Sequence, residues 1–258
     1  MKNTTQHIIF NFAYITFGIL SLFLIKDISL LLYVWLFIAF GNGTIGHRYF
    51  SHNQFSVHKT LHWPLACWST ISAYSNTGYW IAQHRHHHRH TDTEKDIHSP
   101  VNGVLQSFIF WPFNNKRIDS VFKDRTTIIN MATAMRDPAI SFTTKYFIPI
   151  NLIFIILFCI IDINIAYCFG ISVIIEHVRL GLINTITHTD NFLGNYRNHN
   201  TKDKSYNNLL LGIISLGFGW HNNHHANASK LILTERWWEI DLEGYLGKLL
   251  SLTARGKK

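Results

Sequence analysis

The sequence predicts an all-α integral membrane protein with four transmembrane helices arranged as two hairpins. Three observations carry this: long uncharged apolar runs, a charge that is sparse yet one-sided, and histidines gathered beside the ends of the apolar runs. Hydrophobic residues make up 47% of the chain and charged residues only 15%, against a usual charged share of about 25%. Such a composition excludes an intrinsically disordered chain. The three cysteines, Cys67, Cys159 and Cys168, form no CxxC pair, which excludes a disulfide-stapled secreted domain.

The first run, Ile8 to Ile25, holds eighteen positions without a charge. Lys26 and Asp27 interrupt it, and Ile28 to Gly46 is again uncharged. Each approaches the roughly 20 residues that span a bilayer as helix, so a hairpin is expected over about 8–46. A cleaved leader is disfavoured, because no basic region beyond Lys2 and no small-x-small site precedes the second run. Phe147 to Ile161, the break at Asp162, and Ile163 to Ile186 repeat the pattern over about 147–186. The fourth helix is expected to leave the hydrocarbon near Glu176, since a lipid-facing charge in mid-membrane is costly. Leu61 to Ala82 and Leu209 to Trp220 are broken by Pro64, asparagines and glycines, and read as interfacial or re-entrant helices.

Residues 47–145 carry 11 Lys/Arg and residues 187–258 carry nine, whereas the hairpin turns offer only Lys26, Asp27 and Asp162. Positive loops stay in the cytoplasm, so both termini and the middle section are expected there, in one domain covering 1–258. The net charge of +8 suits anionic lipid headgroups or an acidic partner. Without a continuous basic stripe, nucleic-acid binding is disfavoured.

The 17 histidines are clustered. His47 and His52 form an HxxxxH pair after the second run, His84, His87 and His88 an HxxHH triplet, and His221, His224 and His225 a second HxxHH. On a helix, positions i, i+3 and i+4 share a face, so each triplet can aim three imidazoles at one spot. The pair differs: five α-helical residues turn through roughly 500°, leaving the rings about 140° apart. It must straddle a helix end or serve two metals. Eight imidazoles exceed what one ion holds, and structural zinc prefers some cysteine. Two adjacent first-row metals with four or five imidazoles each is the natural arithmetic, and ligand type alone leaves Zn, Cu, Fe and Ni open. A solvated metal-sequestering tract explains one such run but not three at ligand spacing.

HRYFSH, HRHHHRHTDTEKDIHSP and GWHNNHH, in this order between hydrophobic hairpins, resemble the membrane-bound fatty acyl desaturases, most of all the delta-9, stearoyl-CoA-type and bacterial acyl-lipid branch. The likeness runs from the first span to RWWEIDLEGYLGKLL near the C-terminus. It implies four transmembrane helices under a cytosolic helical cap (about 47–145 and 187–258) with a His-rich di-iron site. His47, His52, His84, His87, His88, His221, His224 and His225 match the family's ligands. The segment Asn184-Thr185-Ile186-Thr187-His188 matches an NxxxH pattern, making His188 the ninth ligand and Asn184 the residue that reaches one iron through water. Asp92, Asp96 and His98 match polar positions after the second histidine box and are expected to hydrogen-bond ligand imidazoles. His86 is expected beside the ligands or at the surface, and His7, His58, His62, His177 and His199 carry no motif.

An unactivated methylene C–H bond has no acidity, so acid–base groups cannot remove its hydrogen; O2 activated at a metal with two electrons can. The resemblance thus implies a desaturase that inserts a cis double bond into a long-chain acyl group, as acyl-CoA or lipid-linked. Two Fe ions would be cofactors and O2 the co-substrate. Trp35, Tyr49, Trp80, Trp111 and Trp220 are candidates to line the acyl tunnel, although tryptophans also populate membrane interfaces. Neither an iron–sulfur cysteine set nor a cytochrome b5-like His-Pro-Gly-Gly motif is present. Electrons are therefore expected from a separate cytochrome b5-like protein or ferredoxin with its NAD(P)H reductase. Two departures from the family pattern, Phe218 before the third box and Phe108 after the second, touch no matched ligand. A di-iron hydroxylase or conjugase on the same scaffold is the alternative. A metal transporter is disfavoured because the spans are nearly free of mid-membrane ligands. Frequent Ile, Asn and Lys point to an AT-rich genome, hence a bacterial inner membrane rather than endoplasmic reticulum.

Overall fold

Each apolar run becomes largely helical, and polar side chains cap the starts of several helices, the last apolar run's among them. The computed structural model describes residues 2–72 and 76–255. The side chain of His7 lies outside that description. Helix α1 covers Lys2–Leu24 and α2 covers Leu31–Phe40, after which the chain continues without a break as a π-helical segment, Gly41–Ser51. Two helices follow, α3 (Lys59–Ser72) and α4 (Thr77–His90), the latter capped by Asn76, whose side chain accepts from the Tyr79 N–H at 2.9 Å. Three short helices come next, α5 (Asn115–Val121), α6 (Arg125–Ala134) and α7 (Pro138–Lys145), capped by Asn114, Asp124 and Asp137.

The second hairpin is α8 (Phe147–Ile161) and α9 (Ile163–Ile186). Asp162 ends one helix and caps the other, its carboxylate accepting from the Asn164 N–H at 2.8 Å. A two-residue antiparallel ladder pairs β1 (Asn195–Tyr196) with β2 (Asn207–Asn208). Helices α10 (Leu209–Ile214), α11 (His221–Ala226) and α12 (Leu242–Ser251) complete the chain.

Helix α9 is the central post, packed against α1, α2 and α8. Among the described residues it is the one helix that is itself long and apolar enough to cross a bilayer. The pair α7 and α8, bent by 76° on either side of Tyr146, counts as a second only if it is a single span. The four apolar runs are all helical, but length explains why they do not all qualify. The second changes to π-helix at Gly41, and α8 has 15 residues. Their outward faces are strongly apolar: Phe23 on α1 is 82% exposed and Ile160 on α8 is 74% exposed. Water disfavours continuous patches of this kind, whereas lipid accepts them.

Glu176 and Arg179 face the interior of the protein. Both are buried, and the guanidinium forks onto the carboxylate at 2.7 and 2.8 Å. Arg179 also donates to Glu243 Oε1 on α12 at 2.9 Å. Arg48, in the π-helical segment, donates to Asp241 Oδ1 at 2.8 Å and lies 3.7 Å from Glu243. The result is a buried five-member charge network that ties α12 to α9 and to the π segment. Gly43 permits it, because a Cβ there would come within 2.0 Å of the Glu243 carboxylate.

Candidate metal centre

The π-helical segment explains the HxxxxH pair. In a π-helix the N–H of residue i+5 bonds the carbonyl of residue i, so residues five apart stack on one face. The His52 N–H donates to the His47 carbonyl at 3.2 Å, and the two rings lie 4.8 Å apart. His52 caps the segment. The pair therefore straddles a helix end and points into one place. The two HxxHH triplets sit on α4 and α11, but neither aims all three rings at one spot: the i and i+4 rings face one cluster and the i+3 ring (His87, His224) faces the other. His188 follows the last turn of α9, and Asn184 is half-buried one turn before it.

The structure gathers the nine histidines into two adjoining groups. His47, His52, His84, His88 and His224 form one, and His87, His188, His221 and His225 the other, with ligand-capable nitrogens all within 4.8 Å inside each group. In the first, Nε2 atoms approach at 2.7 Å (His52–His84), 3.1 Å (His84–His88), 2.9 Å (His88–His224) and 3.1 Å (His47–His224). The groups meet where the His88 and His225 rings stack, centroids 4.5 Å apart.

These separations can be compared with metal chemistry. Imidazole nitrogens sit about 2.0–2.1 Å from a first-row ion, so neighbours at right angles are about 3 Å apart. Hydrogen bonding alone does not satisfy the first group, because a neutral imidazole has one N–H and five Nε2 atoms converge. In the second group the Nε2 atoms of His87 and His188 are buried without a partner. Buried nitrogens of this kind need a ligand. The donor set, all imidazole, suits a divalent first-row cation, and both groups fit one.

Carboxylates orient the second group. Nδ1 of His87 donates to Asp96 at 2.8 Å, Nδ1 of His188 to Asp92 at 3.1 Å, and Nδ1 of His225 to Asp203 at 3.0 Å. Each bond fixes the tautomer that leaves Nε2 free to face the group's centre. Asp92 and Asp96 thus contact ligand candidates as the sequence suggests. His98 touches one without a hydrogen bond: its ring lies edge-on to that of His87, centroids 5.5 Å apart, and packs on Trp111 at 4.7 Å, while its backbone N–H bonds Asp96 Oδ1 at 2.9 Å. Sequence reasoning misses Asp203, which lies in a loop with no motif, 22 residues before its partner. Its own bonds to Thr201 Oγ1 (2.7 Å) and Ser205 Oγ (2.6 Å) form a compact polar turn, the one local signal available.

His86 is buried and bonds Thr127 Oγ1 (2.8 Å) and the Lys95 carbonyl (3.1 Å) rather than the clusters. Of the aromatic candidates, Trp80 stacks on His84 with centroids 5.6 Å apart, and Trp111 packs on His98. Trp35 lines an apolar cavity of about 560 Å³ between α2, α9 and α10. Tyr49 lies among Phe50, Phe55 and His62, and its hydroxyl pairs with His62 at 2.9 Å. Trp220 is fully buried and donates to the Ile240 carbonyl at 2.9 Å. Phe218, expected to touch no matched ligand, does touch one: its ring packs 4.5 Å from that of His47. The backbone of Phe108 presses on Gly181 of α9.

Burial pushes His52 down to about 3 and His225 to about 4, and it holds His47, His84, His88, His221 and His224 well below the ordinary value. In His87 burial acts the same way, but Asp96 outweighs it and the value rises. Neutral rings are the form that binds metal. The sign for stability follows from the depressed folded-state values. In metal-depleted protein the unfolded chain takes up protons near 6.5 that the folded chain refuses until about 3–4, so stability is intact above 6.5 and falls below it. A melting series on chelated, detergent-solubilised protein should show a falling Tm below about pH 6.5. A Tm independent of pH there would contradict these buried, neutral rings.

A family model described as fatty acid desaturase matches residues 28–240. Delta-9 desaturase-like 4 protein of Arabidopsis thaliana is 30% identical over 207 residues, 80% of this chain and 67% of the relative. Delta-9 acyl-lipid desaturase 1 of the same plant is 29% identical over 206 residues, 80% of this chain and 66% of the relative. Acyl-CoA C20 Delta5-desaturase of Anemone leveillei is 31% identical over 215 residues, 82% and 66% of the two chains. This chain spans about two thirds of the length of these relatives.

Proposed function

The chain belongs to the fatty acid desaturase family and is an enzyme of its acyl-desaturating class, and from that premise we propose that its nine clustered histidines hold two iron ions and that it inserts a cis double bond, of the delta-9 type, into a long-chain acyl group. The convergence of five and four imidazoles, with most of their Nε2 atoms bonded only to one another or to nothing, is the observation that carries this reading. Iron bound there would supply the activation of O2 that hydrogen removal from an unactivated methylene requires.

The chain's own residues have separate tasks. His47, His52, His84, His88 and His224 would hold one ion, and His87, His188, His221 and His225 the other, with Asn184 reaching its ion through water. Asp96, Asp92 and Asp203 keep three of these rings in the tautomer that presents Nε2. Trp80 and Phe218 cover His84 and His47 with apolar surface, which keeps bulk water from the reacting position. The cavity beside Trp35, lined by Leu31, Leu32, Ile175 and Leu182, offers the acyl tail an apolar seat. Relatives named for acyl-lipid and for acyl-CoA substrates support an acyl chain in either linkage.

The outward apolar faces of α1 and α8 and the one-sided positive charge support a multi-pass membrane protein of four spans. The histidine groups and both termini then lie in a cytoplasmic cap, in one domain at a bacterial inner membrane. Electrons come from a separate carrier, a cytochrome b5-like protein or ferredoxin with its NAD(P)H reductase. Lys116, Lys123 and Arg125 are exposed, and Arg117 is half-buried beside the Glu94 carbonyl. Reversing these four charges should slow carrier-dependent turnover and flatten its dependence on salt; unchanged turnover across a salt series would remove this docking face.

Function is tested by expressing the chain in a desaturase-deficient host and locating double bonds in its lipids by mass spectrometry. A new cis-monounsaturated acyl chain, absent from the His224→Ala control, is expected. A hydroxylated product would favour a hydroxylase instead, and no new product would remove desaturation of ordinary acyl chains.

A further inference from the structure

The two histidine groups differ in what surrounds them. Three of the four rings in the smaller group bond a carboxylate: His87 to Asp96, His188 to Asp92 and His225 to Asp203. Each carboxylate is itself held in place. Asp92 accepts from the Lys204 N–H at 2.7 Å and Asp96 from the His98 N–H at 2.9 Å, while Thr201 and Ser205 fix Asp203. Among the described residues no carboxylate bonds any ring of the five-histidine group, and Nδ1 of His47 and of His224 are buried without a partner. The charge at the mouth of that side is of the opposite sign. Arg85, bonded to the Ser51 carbonyl at 2.8 Å, lines a cleft of about 460 Å³ together with His52 and His88. No residue of the four-histidine group lines that cleft.

Resting on the reading that both groups hold metal, we propose that the two positions are unequal: the four-histidine position binds its divalent ion first and retains it, while the five-histidine position loads last and loses its ion first, through the cleft beside Arg85. Charge gives the direction. Nine neutral imidazoles leave two dications uncompensated in a buried site. Three aspartates bond rings of the four-histidine group directly and neutralise its dication, whereas among the described residues no carboxylate bonds a ring of the five-histidine group. A guanidinium stands at its rim, and its other charged neighbours, Arg48 and Arg179, are already paired with Asp241, Glu176 and Glu243. A carboxylate behind a ligand ring also raises its basicity and fixes its orientation, and losing one such partner costs about 10–100-fold in metal affinity. Asp203, Asp92 and Asp96 are on this view positioning residues, acting on metal through the rings they hold.

Release of Fe2+ tests the difference. Anaerobic, iron-loaded protein in lipid nanodiscs is mixed with a colorimetric Fe2+ chelator, and the iron left behind is followed by 57Fe Mössbauer spectroscopy. Release in two phases of equal amplitude is expected, with the slow iron giving one distinct Mössbauer doublet. Asp203→Asn should speed the slow phase about 10–100-fold and leave the fast phase alone, and Asp203→Glu should restore much of the difference. His52→Ala should remove the fast phase only. If Asp203→Asn does not fold, Asp92→Asn, which acts on His188, makes the same prediction. A single phase for both irons, or an effect of the aspartate variants confined to the fast phase, would overturn the inequality. Protein that takes up no iron would overturn the metal reading itself, a result distinct from two irons leaving together.

Discussion

Replacing His224 by alanine should abolish product formation, lowering turnover at least about 10³-fold while leaving the protein folded in the membrane. His224 Nε2 lies 2.9 Å from that of His88 and 3.1 Å from that of His47, so it closes the ring of nitrogens between the second box and the π segment. Its loss opens the five-histidine group without disturbing the carboxylate-held rings opposite. Iron content should therefore fall by about one per chain, and the chain should still bind the other. Retention of full activity would remove His224 from the centre. The chemistry explains the size of the effect: no acid–base residue nearby can replace a metal in breaking an unactivated C–H bond.

Arg48→Met should destabilise the folded protein by about 3–5 kcal/mol, since it leaves buried carboxylates without their counter-charge. Arg48 is fully buried, bonds Asp241 at 2.8 Å and also donates to the Leu231 carbonyl. Three carboxylates (Glu176, Asp241, Glu243) face two guanidiniums (Arg48, Arg179), so the network already carries an excess negative charge. Burial raises Glu243 to about 7, with Arg179 and Arg48 opposing the rise. Removing Arg48 worsens the imbalance beside the segment that carries His47. Thermal unfolding in detergent measures it, and adding Asp241→Asn should recover part of the loss. A change under about 1 kcal/mol would mean that the network contributes no more than an exposed ion pair.

Residues close in sequence were the ones a reading of the chain could place. Each HxxHH triplet obeys helical phase, yet its rings divide two to one: the i and i+4 rings share one group and the i+3 ring joins the other. The break at Asp162 is legible because an aspartate after an apolar run both stops one helix and caps the next. The HxxxxH pair could be narrowed but not decided, because α-helical phase is the wrong ruler for a π-helical segment. The setting of that segment is tertiary: Gly41 and Gly43 let α3 and α12 approach too closely for a side chain. Asp203 was invisible for a related reason, since its meaning depends on a loop folding back onto α11. The partners of Glu176 and Arg179 were only half legible: their i, i+3 spacing allows a pair, but Glu243 comes from α12, 64 residues beyond Arg179.

The outward faces of α1 and α8 make the membrane legible from composition, but helix length comes from packing. The π segment after α2 divides a run that looks continuous in the sequence, and the bend of 76° before α8 sets where that helix begins.

The most direct measurement is the iron content of the purified, reconstituted chain, read with its Mössbauer spectrum. Two irons per chain in nitrogen-rich surroundings are expected, falling to about one in His224→Ala. A chain that binds no iron, or the same amount with and without His224, would contradict a two-metal centre built from these nine histidines.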